Sequence, residues 1–117
     1  MGLVKELARV THATVGQEDR GILVCTIGFD FGGAGQSMGI VLDTYDKAGN
    51  SRVGTAEGCE WIRRVLDLFK ERDFLSLSGR TVYVLRANGI GPILGLEMPP
   101  FDGGTRLLLT DVFVGAR

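Results

Sequence analysis

Ile22-Leu23-Val24-Cys25-Thr26-Ile27-Gly28-Phe29-Asp30-Phe31, continued by Gly32-Gly33-Ala34-Gly35-Gln36-Ser37, is the stretch whose reading decides the fold. Leu23, Cys25, Ile27, Phe29 and Phe31 recur at every second position, and only an extended backbone places alternate side chains on one face. The segment is therefore a strand with one buried side. Glycine then fills three of the next four positions. A tight hairpin connection accounts for them, because glycine reaches positive φ without a steric penalty. The same glycines also remove the Cβ atoms that keep a ligand or a second chain away from the backbone, while Gln36 and Ser37 set an amide and a hydroxyl at the entrance of the next strand. From the sequence both readings stay open.

Working outward, Val4 to Val15 is a further strand, rich in valine, threonine and alanine, and Gly16 to Gly21 reads as a turn. Gln36 to Tyr45 continues as a third strand, with Met38, Ile40 and Leu42 on one face, and Asp46-Lys47-Ala48-Gly49-Asn50-Ser51 forms a loop. The spacing of Cys59, Ile62, Val65, Leu66 and Phe69 predicts an amphipathic helix from Ala56 to Arg72, capped by Thr55, with Trp61 and Leu68 widening the apolar stripe. Thr81 to Arg86 is a strand by its β-branched and aromatic content. Asn88-Gly89 signals a hairpin, Ile93 to Met98 is the returning strand, and Arg106 to Val114 is the last. The expected fold class is α+β: one or more small antiparallel sheets with a central amphipathic helix, in the order βββ-α-βββ, as a single domain over residues 1–117. A lone helix with apolar residues on two shoulders cannot cover both against one small sheet, so a homo-oligomer with the helix at or beside the interface is expected.

Composition narrows the function. Thirteen basic residues against fourteen acidic ones give a net charge of −1, which argues against an extended nucleic-acid-binding surface. No apolar run is long enough to cross a bilayer and no secretory leader pattern opens the chain, so a cytoplasmic protein is expected. Cys25 and Cys59 lack ligand spacing and read as small buried hydrophobes. With His12 as the one histidine, neither a metal site nor a cofactor is expected. Asp43 and Asp46 bracket Tyr45, but aspartates leaving a strand satisfy turn backbones, and no paired acid, base or nucleophile stands out. The glycine run leads into a strand and lacks the Lys-Ser/Thr ending of a phosphate-hydrolysing loop. Arg52, Arg64, Arg86 and Asn88 are proposed as ligand contacts from their chemistry: guanidinium forks suit phosphate, and Tyr83 beside them offers an aromatic face. Arg64 also stands four residues from Glu60, where an exposed helix pair is the simpler role.

The Gly32-Gly33-Ala34-Gly35-Gln36-Ser37 segment, followed by a helix and then by Thr81 to Arg86 and Ile93 to Met98, resembles the first-described family of phage Thoeris anti-defence sponges, whose Gly-Gly-Gly-Gln-Ser segment is interrupted here by Ala34. The resemblance implies a non-enzymatic protein, active in a host cytoplasm if phage-encoded, that captures a nucleotide immune signal. The signal would be a cyclic ADP-ribose-type molecule or a cyclic oligonucleotide, held in pockets between the subunits of a dimer. By motif it carries over Gly33, Gly35, Gln36 and Ser37 as ligand-binding residues. A small inhibitor of a host defence complex acting by protein contact, in the manner of an anti-CRISPR, is the alternative. An enzyme on a small phosphorylated substrate and an assembly subunit are further readings.

Overall fold

Residues 2–113 are described by the computed structural model, and among them eight strands surround one helix. The strands are β1 (Val4–Glu18), β2 (Ile22–Asp30), β3 (Gly35–Val41), β4 (Asp43–Asp46), β5 (Ser51–Gly54), β6 (Thr81–Arg86), β7 (Gly95–Glu97) and β8 (Arg106–Leu108); α1 spans Ala56–Phe69. The fold is α+β, as expected, but five strands rather than three precede the helix. Strand β3 ends at Val41, because Leu42 makes only half of the next ladder pair: its N–H still donates to the Leu23 carbonyl, but its own carbonyl turns away to accept from Thr55, and the Leu23 N–H donates to the Asp43 carboxylate instead. The chain beyond Leu42 folds into a separate two-stranded ribbon, β4–β5, which the continuous alternation from Gln36 to Tyr45 conceals.

The six remaining strands without the ribbon form one antiparallel sheet in the order β3-β2-β1-β6-β7-β8. Its axis is β1, 15 residues long, which runs three residues past the expected Val15. The first part of β1, Val4–Arg9, pairs with β6, and Arg9–Glu18 pairs with β2, so the strands before and after the helix share one sheet. A bulge between Val10 and His12 shifts the alternation by one residue. Ala8 and Val10 before it and Ala13 after it consequently all face the core. The returning strand β7 is shorter than expected. Asn88 does not take the positive φ of a two-residue Asn-Gly turn; the left-handed position falls on Gly91 (φ 115) in a longer loop. The last strand stops at Leu108, and the expected Val114 lies outside the described residues.

One face of the sheet and α1 enclose the core: Cys25, Ile27 and Phe29 of β2, Met38 of β3, Val82 and Val84 of β6, Leu96 of β7, and Trp61, Val65, Leu68 and Phe69 of the helix. Thr55 caps α1, its hydroxyl accepting from the Gly58 N–H (2.9 Å) and donating to the Leu42 carbonyl (2.9 Å). A Cβ on Gly58 would fall under 3.0 Å from the backbone of Leu42, so only glycine lets the helix seat this closely. That seating turns the Gly58, Trp61, Val65 and Phe69 stripe inward. Cys59 is left exposed, contrary to the expectation of burial, and Ile62 and Leu66 are half-buried. Cys25 is buried as expected. Burial pushes its thiol up to about 12, with the indole of Trp61 as the weaker, opposing influence. Among the described residues no helix is long and apolar enough to cross a membrane.

Candidate functional site

The turn between β2 and β3 closes with the Phe31 N–H donating to the Ala34 carbonyl (2.8 Å), and Gly32 (φ 86) and Gly33 (φ 115) occupy its two central positions. Both glycine amides donate to the Asp30 carboxylate, each at 3.2 Å. The hairpin reading of the glycines therefore holds, and the amides of Gly32 and Gly33 are already engaged. What the missing Cβ atoms provide is a wall without side chains.

That wall borders a cleft of about 720 Å³ between the β2–β3 turn and the β6–β7 loop, lined by Glu6, Phe31, Gly33, Gln36, Arg86 and Ile90 among others. Arg86 is its centre. As the last residue of β6 it continues the inward row of Val82 and Val84, so the sheet itself buries its guanidinium, and the residue is only 5% exposed. A buried cation requires partners, and strands β1 and β3 and the β2–β3 turn supply them. Pairing of β1 with β6 sets Glu6 on the same face one step away, and the Arg86 Nη1 donates to Glu6 Oε1 at 2.8 Å. Gln36, opposite Phe29 in the β2–β3 ladder, accepts from Arg86 Nε (3.2 Å) and Nη2 (2.5 Å) through its Oε1, while its own amide donates to the Gly91 carbonyl (3.0 Å). The guanidinium lies 4.9 Å from the ring centre of Phe31, at the distance of a cation–π contact. Of the five N–H groups of arginine, these bonds use three; two have no partner among the described residues.

A second cleft, of about 600 Å³, lies across the same hairpin on the opposite face of the sheet, bordered by Thr11, His12, Gly28, Asp30 and Ser37. The His12 ring lies over Gly28, where a Cβ would collide with it, and its Nδ1 is 3.1 Å from the Thr11 hydroxyl. Ser37 belongs to this cleft and not to the Arg86 cleft, since strand alternation sends neighbours to opposite faces.

Of the residues expected to bind a ligand, Gly33, Gly35, Gln36 and Arg86 thus meet at one place. Asn88 is close by in the β6–β7 loop, but its side chain accepts from the Ile90 N–H (2.9 Å) and shapes the loop; Gly89, Ile90 and Gly91 line the cleft instead. Arg52 sits on the β4–β5 ribbon, gripping Asp43 through Nε (2.9 Å) and Nη2 (2.7 Å). This bond, more than any other influence, holds the Asp43 carboxyl below its usual range, the Leu23 N–H adding to it against some desolvation. Arg64 stands on α1, paired with Glu60 at 2.8 Å, in a separate groove of about 320 Å³ against β8. Glu6, Phe31 and Ile90 are the cleft residues that the sequence does not single out. Only the alternation from Leu23 to Phe31 pointed to one of them.

Among the described residues no group of three His, Cys, Asp or Glu is placed to hold a metal ion. Compared with known proteins, the chain matches no family model, no curated protein and no solved structure.

Proposed function

We propose that this protein captures a small nucleotide-like anion in the Arg86 cleft and holds it unchanged, as a phage-type anti-defence protein would hold a cyclic ADP-ribose-like or cyclic oligonucleotide signal. The observation that carries this reading is a buried guanidinium with two uncommitted N–H groups, lining an open cleft beside an aromatic ring. Desolvation strengthens each charge-assisted bond that Arg86 offers, and a fork already fixed by Gln36 loses little freedom when an oxyanion binds. The glycine wall admits a bulky ligand close to the backbone. Ile90, 85% exposed at the cleft, supplies an apolar surface for a base or ribose. Glu6 opposes an anion here, but its side chain is 46% exposed and can turn to solvent when phosphate takes its place. Capture of this kind requires no acid, base or nucleophile.

The test is to incubate the purified protein with extract of cells whose nucleotide signalling is active, remove free small molecules, denature the protein and analyse what is released by mass spectrometry. Intact nucleotide at a stoichiometric level, reduced in Arg86→Lys and Gln36→Ala and increased in Glu6→Gln, supports the proposal. Altered nucleotide points to an enzyme. No released molecule, together with co-purification of a host protein, points to inhibition by protein contact.

A further inference from the structure

The outer edge of β3 carries an observation that does not depend on the nucleotide reading. Strand β3 is the end of the sheet, and among the described residues its outer side pairs with no other strand. The bond from the Phe31 N–H to the Ala34 carbonyl fixes the phase of the ladder. Gln36, Met38 and Ile40 direct their backbone groups to β2, while Gly35, Ser37, Gly39 and Val41 direct theirs outward. Edge strands in soluble proteins are usually blunted by lysine, proline, a bulge or short length. Gly35-Gln36-Ser37-Met38-Gly39-Ile40-Val41 has no charged residue and no proline, and its register against β2 runs without interruption. The opposite edge, β8, is blunted: three residues, beginning with Arg106.

We propose that β3 is a self-association edge, at which two copies of this chain pair antiparallel about a two-fold axis through Met38. A second copy is the occupant that the edge itself specifies. In the register that puts Met38 opposite its own counterpart, Ser37 faces Gly39 of the other copy and Gly35 faces Val41. Every outward N–H and C=O on both strands then has a partner, and any other register leaves some unpaired. The neutral edge meets a neutral edge, so no like charges are forced together. The outward row is mostly glycine and serine, whose small side chains do not shield the main chain. Val41, 50% exposed at the end of the strand, would pack beside the glycine turn of the other copy. Pairing joins the two sheets into one. It also extends the His12 cleft, whose border at Gly35 and Ser37 would continue into Gly39 and Val41 of the second copy. This route to a dimer differs from the helix-mediated one expected from the sequence. A strip of one strand is small for a protein interface, so a concentration-dependent equilibrium in the micromolar range is expected.

Sedimentation velocity of the full chain across a dilution series, with residue-resolved amide hydrogen exchange at its two ends, tests the inference. The expected result is a dimer at high concentration in which the amides of Ser37 and Gly39 exchange at least tenfold more slowly than after dilution to monomer. Gly39→Lys should weaken the dimer at least tenfold. A Cβ there meets only Val24 Cγ1, at 3.8 Å, so the monomer should keep its fold, as circular dichroism would verify. Val41→Lys is the second variant should Gly39→Lys not fold. A protein that stays monomeric throughout, a dimer in which these amides exchange as in the monomer, or a dimer unaffected by the folded lysine variant would overturn the inference.

Discussion

Replacing Arg86 by methionine keeps most of the side-chain volume and removes the charge at the centre of the cleft. The structure allows the cost to be built up from its contacts. The fork onto Gln36 Oε1 is charge-assisted and buried, worth about 1.5–3 kcal/mol. The contact with Phe31 adds about 0.5–1 kcal/mol. The pair with Glu6, half in water on the carboxylate side, adds about 0–1 kcal/mol. Relief from burying a guanidinium works in the opposite direction. The net loss expected for Arg86→Met is about 2 kcal/mol, a roughly thirtyfold change in the folded-to-unfolded ratio, because Gln36 Oε1 is left without its donor. With a urea m-value of about 2 kcal/mol/M the midpoint should fall by roughly 1 M. Glu6→Gln should cost under about 1 kcal/mol, since Arg86 keeps Gln36 and Phe31. A double-mutant cycle of Arg86→Met with Gln36→Leu should show coupling of more than about 1 kcal/mol. The ordering is the decisive part. If Glu6→Gln costs as much as Arg86→Met, or the cycle shows no coupling, Arg86 is anchored by its surface carboxylate and the account of a buried, Gln36-oriented fork is wrong.

Three further outcomes follow from other parts of the fold. Gly58→Ala should destabilise by about 1–3 kcal/mol in urea unfolding although alanine is the better helix former, because a Cβ would press on the Leu42 backbone; a neutral or stabilised variant would show that the helix seat can shift. The carboxyls of Asp43, held low first by Arg52, and Glu97, held low first by Lys5 and then by Arg106, contribute stability that is fully present above their unfolded values of 3.8 and 4.5 and is lost as pH falls through the lower folded values. Asp43→Asn should therefore flatten the acid limb of a stability–pH curve, and an unchanged limb would remove Asp43 from the account. A thiol-specific chromogenic reagent should titrate one cysteine, Cys59, in the native protein and both in denaturant, since Cys25 is buried with its thiol pushed up to about 12; two fast native thiols would contradict the core packing.

The parts of this fold legible in the sequence are those set by local periodicity. Leu23 to Phe31 alternates because β2 has one buried face, Thr55 caps because its hydroxyl meets the Gly58 amide, and Thr81 to Arg86 is β-branched because it lies centrally in the sheet. Long-range pairing decided the rest. Glu6 reaches Arg86 across 80 residues, through a β1–β6 ladder that no local pattern announces. The departure of Leu42 from the sheet is invisible in an alternation that Leu42 itself continues, and β5 is a four-residue Ser-Arg-Val-Gly strand defined by its partner β4. The arginines illustrate the same division. Arg52 and Arg64 look like free anion contacts in a list of residues, yet each has a carboxylate within nine positions and is paired with it away from the cleft, Arg52 through two of its N–H groups and Arg64 through one. Arg86 has none nearby in sequence, so its partners and its place in the cleft come from the tertiary fold.

Strand β3 joins the two inferences and also separates them. Its alternation assigns Gln36, Met38 and Ile40 to the core face with their backbone bonded to β2, and Ser37, Gly39 and Val41 to the open face with their backbone directed outward. A ligand in the Arg86 cleft is therefore met by Gln36, the one member of the first set that lines it, and a second copy of the chain by the second set. Substitutions within seven consecutive residues should sort by parity: Gln36→Ala should weaken nucleotide retention and leave sedimentation unchanged, while Gly39→Lys should dissolve the dimer and leave a 1:1 ratio of ligand to chain. Were retention to require the dimer, both variants would lose ligand, and the site would lie across the paired edges, in the His12 cleft, with Arg86 serving only to hold the hairpin in place.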